Sequence, residues 1–308
     1  MAEKSHDNGH HHHYFAEVHA SKESQFFGAA HNIADTTEIT ALKKRLETES
    51  GNYELLLKTA SALNDQLRYR ESIELYNRAI ALRPDDPAGY RQRGPRLLNT
   101  LQFDRAYADF AFCEQKDSGT MDIAYRLGMA LYMMARYPEA ESWFAKSIQY
   151  SEAENNTEMV IASLYWRIFA QIQLSPQSQT KPTFGPWLNF DFSRDVGHHE
   201  AYRDVVKLFC DSFGPAGIVP GGTPSGGLSA SVRDTLLNAA AALYRLPDPN
   251  GGLTEALSTS MLNYGVYGFY RYLGEQEKAA QALKTVIDND HFWICYAYLA
   301  AWTDYTRK

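Results

Sequence analysis

Between Tyr53 and Pro84 the apolar positions fall into two helical faces separated by a short polar break. Leu55, Leu56, Ala60 and Leu63 form the first face, and Tyr69, Ser72, Ile73, Tyr76, Ala79, Ile80 and Leu82 form the second. Spacings of three and four residues are those of one side of an α-helix. Asp65 and Gln66 carry neither face onward, so the stretch predicts two antiparallel helices packed as a hairpin. A single hairpin leaves an apolar flank open and needs a neighbour. Sliding the sequence by 34 residues supplies one twice. Ala60, Gly94 and Gly128 come into register, as do Tyr69, Phe103 and Tyr137, then Ser72, Ala106 and Ala140, and Tyr76, Phe110 and Phe144. Small residues then mark the close approach of two helices, and the aromatics are expected to fill the gap between hairpins.

The rest of the chain is organised around this array. Thr36-Thr37-Glu38 predicts the start of a helix whose Ile39, Leu42 and Leu46 cap the first hairpin. In the second hairpin, from Pro87 to about residue 120, Arg93 stands at a packing position and needs a partner, for which Asp109 and Asp122 are the candidates. Pro95 lies inside the first helix of that hairpin, where it predicts a kink or a late helix start. The third hairpin, from Met121 to about residue 152, is the most regular. Glu158–Leu174 reads as the first helix of a fourth unit whose second helix is lost or altered. Pro, Gly and Ser dominate residues 175 to 231, where only Glu200–Phe213 reads as a helix; the run Gly214 to Gly227 reads as mobile. Helix returns over Ala230–Tyr244, a hairpin over Leu262–Ile287 places Gly274, Ala279 and Leu283 at repeat positions, and His291–Thr303 is an aromatic helix suited to covering the open end.

The register of Ala60, Gly94 and Gly128 with the aromatic and small positions that follow it resembles the tetratricopeptide repeat. Within that class Arg93-Gly94-Pro95-Arg96, Phe103-x-x-Ala106-x-x-Asp109, Asp122-x-x-Tyr125-x-x-Gly128, Leu164-Tyr165-Trp166, Tyr264-Gly265 and Phe292-Trp293 resemble a group of largely uncharacterised microbial tetratricopeptide proteins. The likeness covers residues 50 to 170 and 260 to 305. It implies an all-α solenoid of helical hairpins, interrupted by a Pro/Gly-rich insertion. The expected domains are a disordered His-rich tail (1–35), a repeat array with its capping helix (36–174), the insertion with one short helix (175–231) and a C-terminal repeat-like segment with a capping helix (232–308). Members of the group commonly carry Arg-Gly-His-Arg where this chain has Pro95 in place of the histidine. Any chemistry of that histidine is therefore lost here.

Composition narrows the function classes. A net charge of -7 with interspersed Lys and Arg argues against general nucleic-acid binding, which requires a basic surface. Cys113, Cys210 and Cys295 are odd in number and widely spaced, so neither a disulfide framework nor a zinc site is expected. The first residues lack an apolar core of the signal-peptide kind, and nowhere do eighteen apolar residues run uninterrupted, so no membrane association and a cytoplasmic location are expected. His6, His10 to His13, His19 and His31 could ligate a metal, but four consecutive histidines beside Gly and Asn have no scaffold to fix a geometry, and no metal or cofactor is expected.

Phosphate-cradling glycine motifs, paired metal-ligand motifs and a nucleophile elbow are absent from the sequence. His198-His199-Glu200 is the one catalytic-looking cluster, and Glu200 in a first turn is accounted for by the helix dipole. Tetratricopeptide arrays bind on the concave surface of their first helices. The resemblance places Asn64, Arg91, Asn99, Asp122, Tyr125, Arg126, Tyr132 and Arg167 there, a set suited to an acidic or amide-rich peptide. The chaperone-tail clamp of the class falls on Leu57, Ser61, Gln92, Asp122 and Arg126, of which only Arg126 matches, so that ligand is not expected. The expected function is a non-catalytic scaffold that binds a protein or peptide in its groove. The alternative is a small-molecule enzyme with a site between the groove and the 183–199 loop, drawing on Arg93, Asp109, Asp122, Trp187, His198 and His199.

Overall fold

The structure, a computed structural model, describes residues 19–174, 184–214 and 253–307. His6, His10 to His13, nearly all of the Gly-rich run and the helix expected over Ala230–Tyr244 lie outside them. Among the described residues every regular element is helical. The helices are α1 (Lys22–Phe26), α2 (Thr37–Thr48), α3 (Tyr53–Asp65), α4 (Tyr69–Leu82), α5 (Pro87–Asn99), α6 (Phe103–Lys116), α7 (Met121–Met133), α8 (Tyr137–Ala153), α9 (Thr157–Leu174), α10 (Glu200–Phe213), α11 (Leu253–Leu273), α12 (Gln276–Asp288) and α13 (Tyr296–Thr306). Consecutive helices pack as neighbouring pairs, an arrangement consistent with an α-solenoid. The chain divides into two compact units, Met1–Ser118 and Gly119–Lys308. That division falls within the stretch 36–174 expected to be one array.

One turn recurs at the end of the first helix in each hairpin. Leu67, Leu101 and Ala135 stand 34 residues apart, each in the left-handed region with φ of 56°, 62° and 60°. In each case the next N–H reaches back five residues: Arg68 to the Leu63 carbonyl at 3.0 Å, Gln102 to Leu97 at 2.8 Å and Arg136 to Leu131 at 2.9 Å. This is the Schellman closure, which satisfies carbonyls that the ending helix leaves without partners. Asn155 (φ 53°) repeats it between α8 and α9, and Gly274 (φ 79°) between α11 and α12. Gly274, expected only to stand at a repeat position, is the turn residue, the one place in this series where glycine avoids the Cβ penalty.

The second recurring feature is an interlock of glycine and phenylalanine. A Cβ on Gly94 would strike the ring of Phe110, and one on Gly128 would strike the ring of Phe144. Both rings are fully buried. The aromatic therefore packs into its own hairpin, against the glycine that lets α5 approach α6 and α7 approach α8, rather than filling the space between hairpins. Helix starts follow local rules: Thr36 accepts the Ile39 N–H at 3.2 Å, Asn52 the Leu55 N–H at 3.1 Å, and Asp86 the Ala88 N–H at 2.9 Å with Pro87 at the first helical position. The α5 helix runs through Pro95 without starting late. Arg93 pairs with Asp109 through two hydrogen bonds of 2.8 and 2.7 Å and donates to Asn77 at 2.9 Å.

In the first unit the segment before α2 is folded, contrary to the expectation of a disordered tail through residue 35. Ala20 and Phe26 are buried, and Arg70 binds the carbonyls of Gln25 and Phe26, the first at 2.5 Å and the second at 3.0 Å. Buried Arg68 bridges Asp35 at 2.7 Å and Glu71 at 2.6 Å, His31 reaches Glu71 at 2.8 Å, and Lys43 reaches Asp35 at 3.0 Å. Hydrogen bonds and nearby cations hold the Asp35 and Glu71 carboxyls below their ordinary range despite the opposing effect of burial. A polar sequence thus docks through charge where apolar periodicity gives no signal.

In the second unit α10, α11 and α13 lie against α9 and α7. Gly265 and Gly268 of α11 leave room for Val205 of α10 and for the Phe169 ring of α9. Phe169 stacks on Tyr264 with ring centres 4.8 Å apart. The last aromatic helix begins at Tyr296, after a turn over residues 291–295, instead of at His291.

Candidate functional site: the faces of the first helices

The groove positions named from the sequence divide between the two units. Asn64, Arg91 and Asn99 belong to the first; Asp122, Tyr125, Arg126, Tyr132 and Arg167 belong to the second. In the second unit the tyrosines do not face solvent. Tyr132 is buried, with its hydroxyl 2.5 Å from that of Tyr264 and accepting from Gln173 at 2.9 Å. Tyr125 is buried against Tyr296 of α13, ring centres 5.9 Å apart. These two positions are corrected from open groove to interior, because the chain's own later helices occupy the face of α7. Burial pushes both phenols well above their ordinary range.

The remaining positions of this face are engaged as well. Arg126 pairs with Asp122 at 3.6 Å one turn away. Arg167 donates to Glu141 at 2.9 Å and lies 4.1 Å from the centre of the Trp187 ring. Trp187 belongs to a loop anchored by buried Phe184, Leu188 and Val196. Arg194 of the same loop binds Glu152 at 2.7 Å. His199 places Nδ1 2.8 Å from the Glu158 carbonyl, while His198 is exposed. Of the alternative pocket, Arg93 and Asp109 are consumed by their mutual ion pair in the first unit, and Asp122, Trp187, His198 and His199 belong to the second. No group of three metal-capable side chains occurs among the described residues. Cys113, Cys210 and Cys295 are buried and form no disulfide, and burial raises the thiols of Cys210 to about 12 and Cys295 to about 11.

In the first unit, Asn64 and Arg91 keep partial exposure and Asn99 is buried. Asn64 Nδ2 donates to the Tyr76 hydroxyl at 3.0 Å, and its Oδ1 is buried with no hydrogen-bond partner among the described residues. Arg96, absent from the groove set read from the sequence, lies with its guanidinium carbon 4.6 Å from the centre of the Tyr69 ring. Its Nε is buried without a hydrogen-bond partner, and it makes no ion pair among the described residues. Its charge draws the Tyr76 phenol down against the larger upward effect of burial. Asn64, Tyr69, Tyr76 and Arg96 thus form one cluster between α3, α4 and α5.

No family model matches the chain, and no curated protein does. The physical reading of the two units therefore carries the functional assignment. The sequence did hold a signal for Arg96: its place two residues beyond the glycine at the helix approach turns it toward the preceding hairpin, where the aromatic Tyr69 stands. Among the described residues no helix is long and apolar enough to cross a membrane.

Proposed function

We propose that the chain is a non-catalytic interaction protein of the tetratricopeptide type and that its first unit binds an acidic segment of a partner protein. The observation that carries this reading is the Arg96 guanidinium, held over Tyr69 with its Nε buried and without a hydrogen-bond or ion partner among the described residues. A half-buried charge of this kind is costly unless something neutralises it. The partly exposed outer part of the Arg96 guanidinium offers its remaining donors to a carboxylate, with partly exposed Arg91 extending the cationic character of α5.

Photo-cross-linking from position 91 in the full chain identifies the bound segment, and titration of that purified partner measures its affinity. Arg96→Ala is expected to weaken binding tenfold to a hundredfold, since a charge-assisted hydrogen bond contributes roughly 1.5 to 3 kcal/mol. Its melting temperature should stay near that of the parent. An unchanged Kd in Arg96→Ala would sink the assignment.

A further inference from the structure

The network that buries Tyr132 contains an acid and a base that do not touch each other. Asp304 of α13 accepts from the Tyr264 hydroxyl at 2.7 Å and from Gln173 Nε2 at 3.2 Å, both on Oδ2. Arg271 of α11 donates from Nη1 alone, to Gln173 Oε1 and to the Tyr267 hydroxyl, the latter at 3.1 Å. The two groups make no salt bridge; the Gln173 amide stands between them, receiving from one and donating to the other. An acid and a base this close ordinarily collapse into a bidentate pair, as Arg93 and Asp109 do elsewhere in this chain. Here Gln173 and the two tyrosines hold them apart.

Each group keeps unused capacity. Asp304 Oδ1 accepts no hydrogen bond, and Arg271 Nε and Nη2 donate none, among the described residues. None of these atoms is sealed in the interior, and both residues retain partial exposure. Burial acts on the two groups in different ways. Dense surroundings push the Asp304 carboxyl upward, and the nearby Asp304 and Tyr267 groups hold the Arg271 guanidinium charged against its own desolvation. The other charged group facing Asp304 is Arg307, which is tied down by the Met133 carbonyl and by Tyr137 at 3.2 Å.

We infer that Asp304 and Arg271, spaced by Gln173 between tyrosine walls, form a binding site for a small zwitterion of the α-amino-acid class. The ligand's carboxylate takes the free edge of the Arg271 guanidinium, and its ammonium takes Asp304 Oδ1. The tyrosines exclude water from the aliphatic part. The site lies wholly in the second unit and is independent of the acidic segment assigned to the first.

The test uses the full chain and a panel of the twenty proteinogenic L-α-amino acids, each titrated by calorimetry and by thermal melting. At least one is expected to bind saturably and raise the melting temperature. Its C-amidated form, which lacks the carboxylate, and its N-acetylated form, which lacks the ammonium, should each bind at least tenfold more weakly. Asp304→Asn and Arg271→Lys should weaken binding of the unmodified amino acid by a comparable factor. If either variant fails to fold, the two ligand derivatives decide on the parent protein alone. No saturable binding across the panel, or equal affinity for the amidated or acetylated form, overturns the proposal.

Discussion

Helices α3 and α7 hold the same place in their hairpins, with Ala60 of one aligned to Gly128 of the other, yet they end in opposite surroundings. Lys58, Ser61 and Asp65 of α3 are exposed. The residues in register on α7 are Arg126, Met129 and Met133, and the two methionines are fully buried. Ten of the thirteen residues of α7 are buried, against eight of thirteen in α3. The hairpin itself, with its left-handed turn and its buried aromatic, is built alike in both. The local code that makes the hairpin is therefore separate from the choice of what covers it. In the first unit that face keeps polar residues at the surface, and in the second it becomes the floor on which later helices rest.

The largest test concerns what the hairpins share. Phe110→Ala and Phe144→Ala should each cost about 3 to 5 kcal/mol, the range for truncating a buried phenylalanine. Denaturant unfolding of the two variants should give similar losses; a large loss for one and none for the other would separate the hairpins. Exchanging the outward residues tests what differs. Met129→Ser should cost about 2 to 5 kcal/mol by removing a buried side chain, whereas Ser61→Met, at the aligned exposed position, should stay within about 0.5 kcal/mol of the parent.

A smaller effect of opposite sign is expected at the turns. Ala135 is exposed and left-handed, so Ala135→Gly should stabilise by about 0.5 to 1 kcal/mol, the relief of Cβ strain less the entropy glycine loses on folding. Leu67 has the same φ but a buried side chain, and Leu67→Gly should destabilise. Calorimetric melting of the two variants checks the pair of signs.

The smallest contrast is in acid. Asp35 and Glu71 of the first unit titrate below their unfolded values, so their stabilisation is present above the unfolded carboxylate range and fades as pH falls through the folded pKa. Asp304 of the second unit is displaced upward, so its contribution is greatest below its unfolded pKa and is lost as pH rises through the folded one. Asp35→Asn should flatten the acid limb of stability, and Asp304→Asn should raise stability at neutral pH relative to acid. Denaturant midpoints measured across pH 3 to 7 distinguish the two.

The hairpins were legible because their spacing, small residues and aromatics repeat in one frame. The fate of each face was harder to read. Tyr125 and Tyr132 occupy groove positions by register, and register says nothing of a helix arriving more than a hundred residues later. A signal was nevertheless present, since from Leu127 to Met133 the C-terminal half of α7 is apolar around its circumference, the mark of a helix segment enclosed on all sides. The docking of residues 19–35 escaped for the opposite reason: it rests on Arg68 and Arg70 meeting carboxylates and carbonyls, contacts without periodicity. Arg271, Gln173 and Asp304 were not distinguishable as a group, because each comes from a different helix and their meeting depends on the fold.

The reach of the contacts over α7 also sets an order in time. Asn64 meets Tyr76 twelve residues on, but Met133 waits for Thr303, 170 residues further along the chain. At about 5 to 20 residues per second of synthesis, the first contact becomes available within roughly a few seconds and the second only after roughly ten to thirty. During that interval Tyr132 already meets Tyr137 of α8 and Trp166 of α9, while the side of Met133 that Thr303 reaches stays uncovered. The nascent chain thus carries an incompletely covered α7 over one defined window, opening when α7 emerges and closing when α13 folds across it.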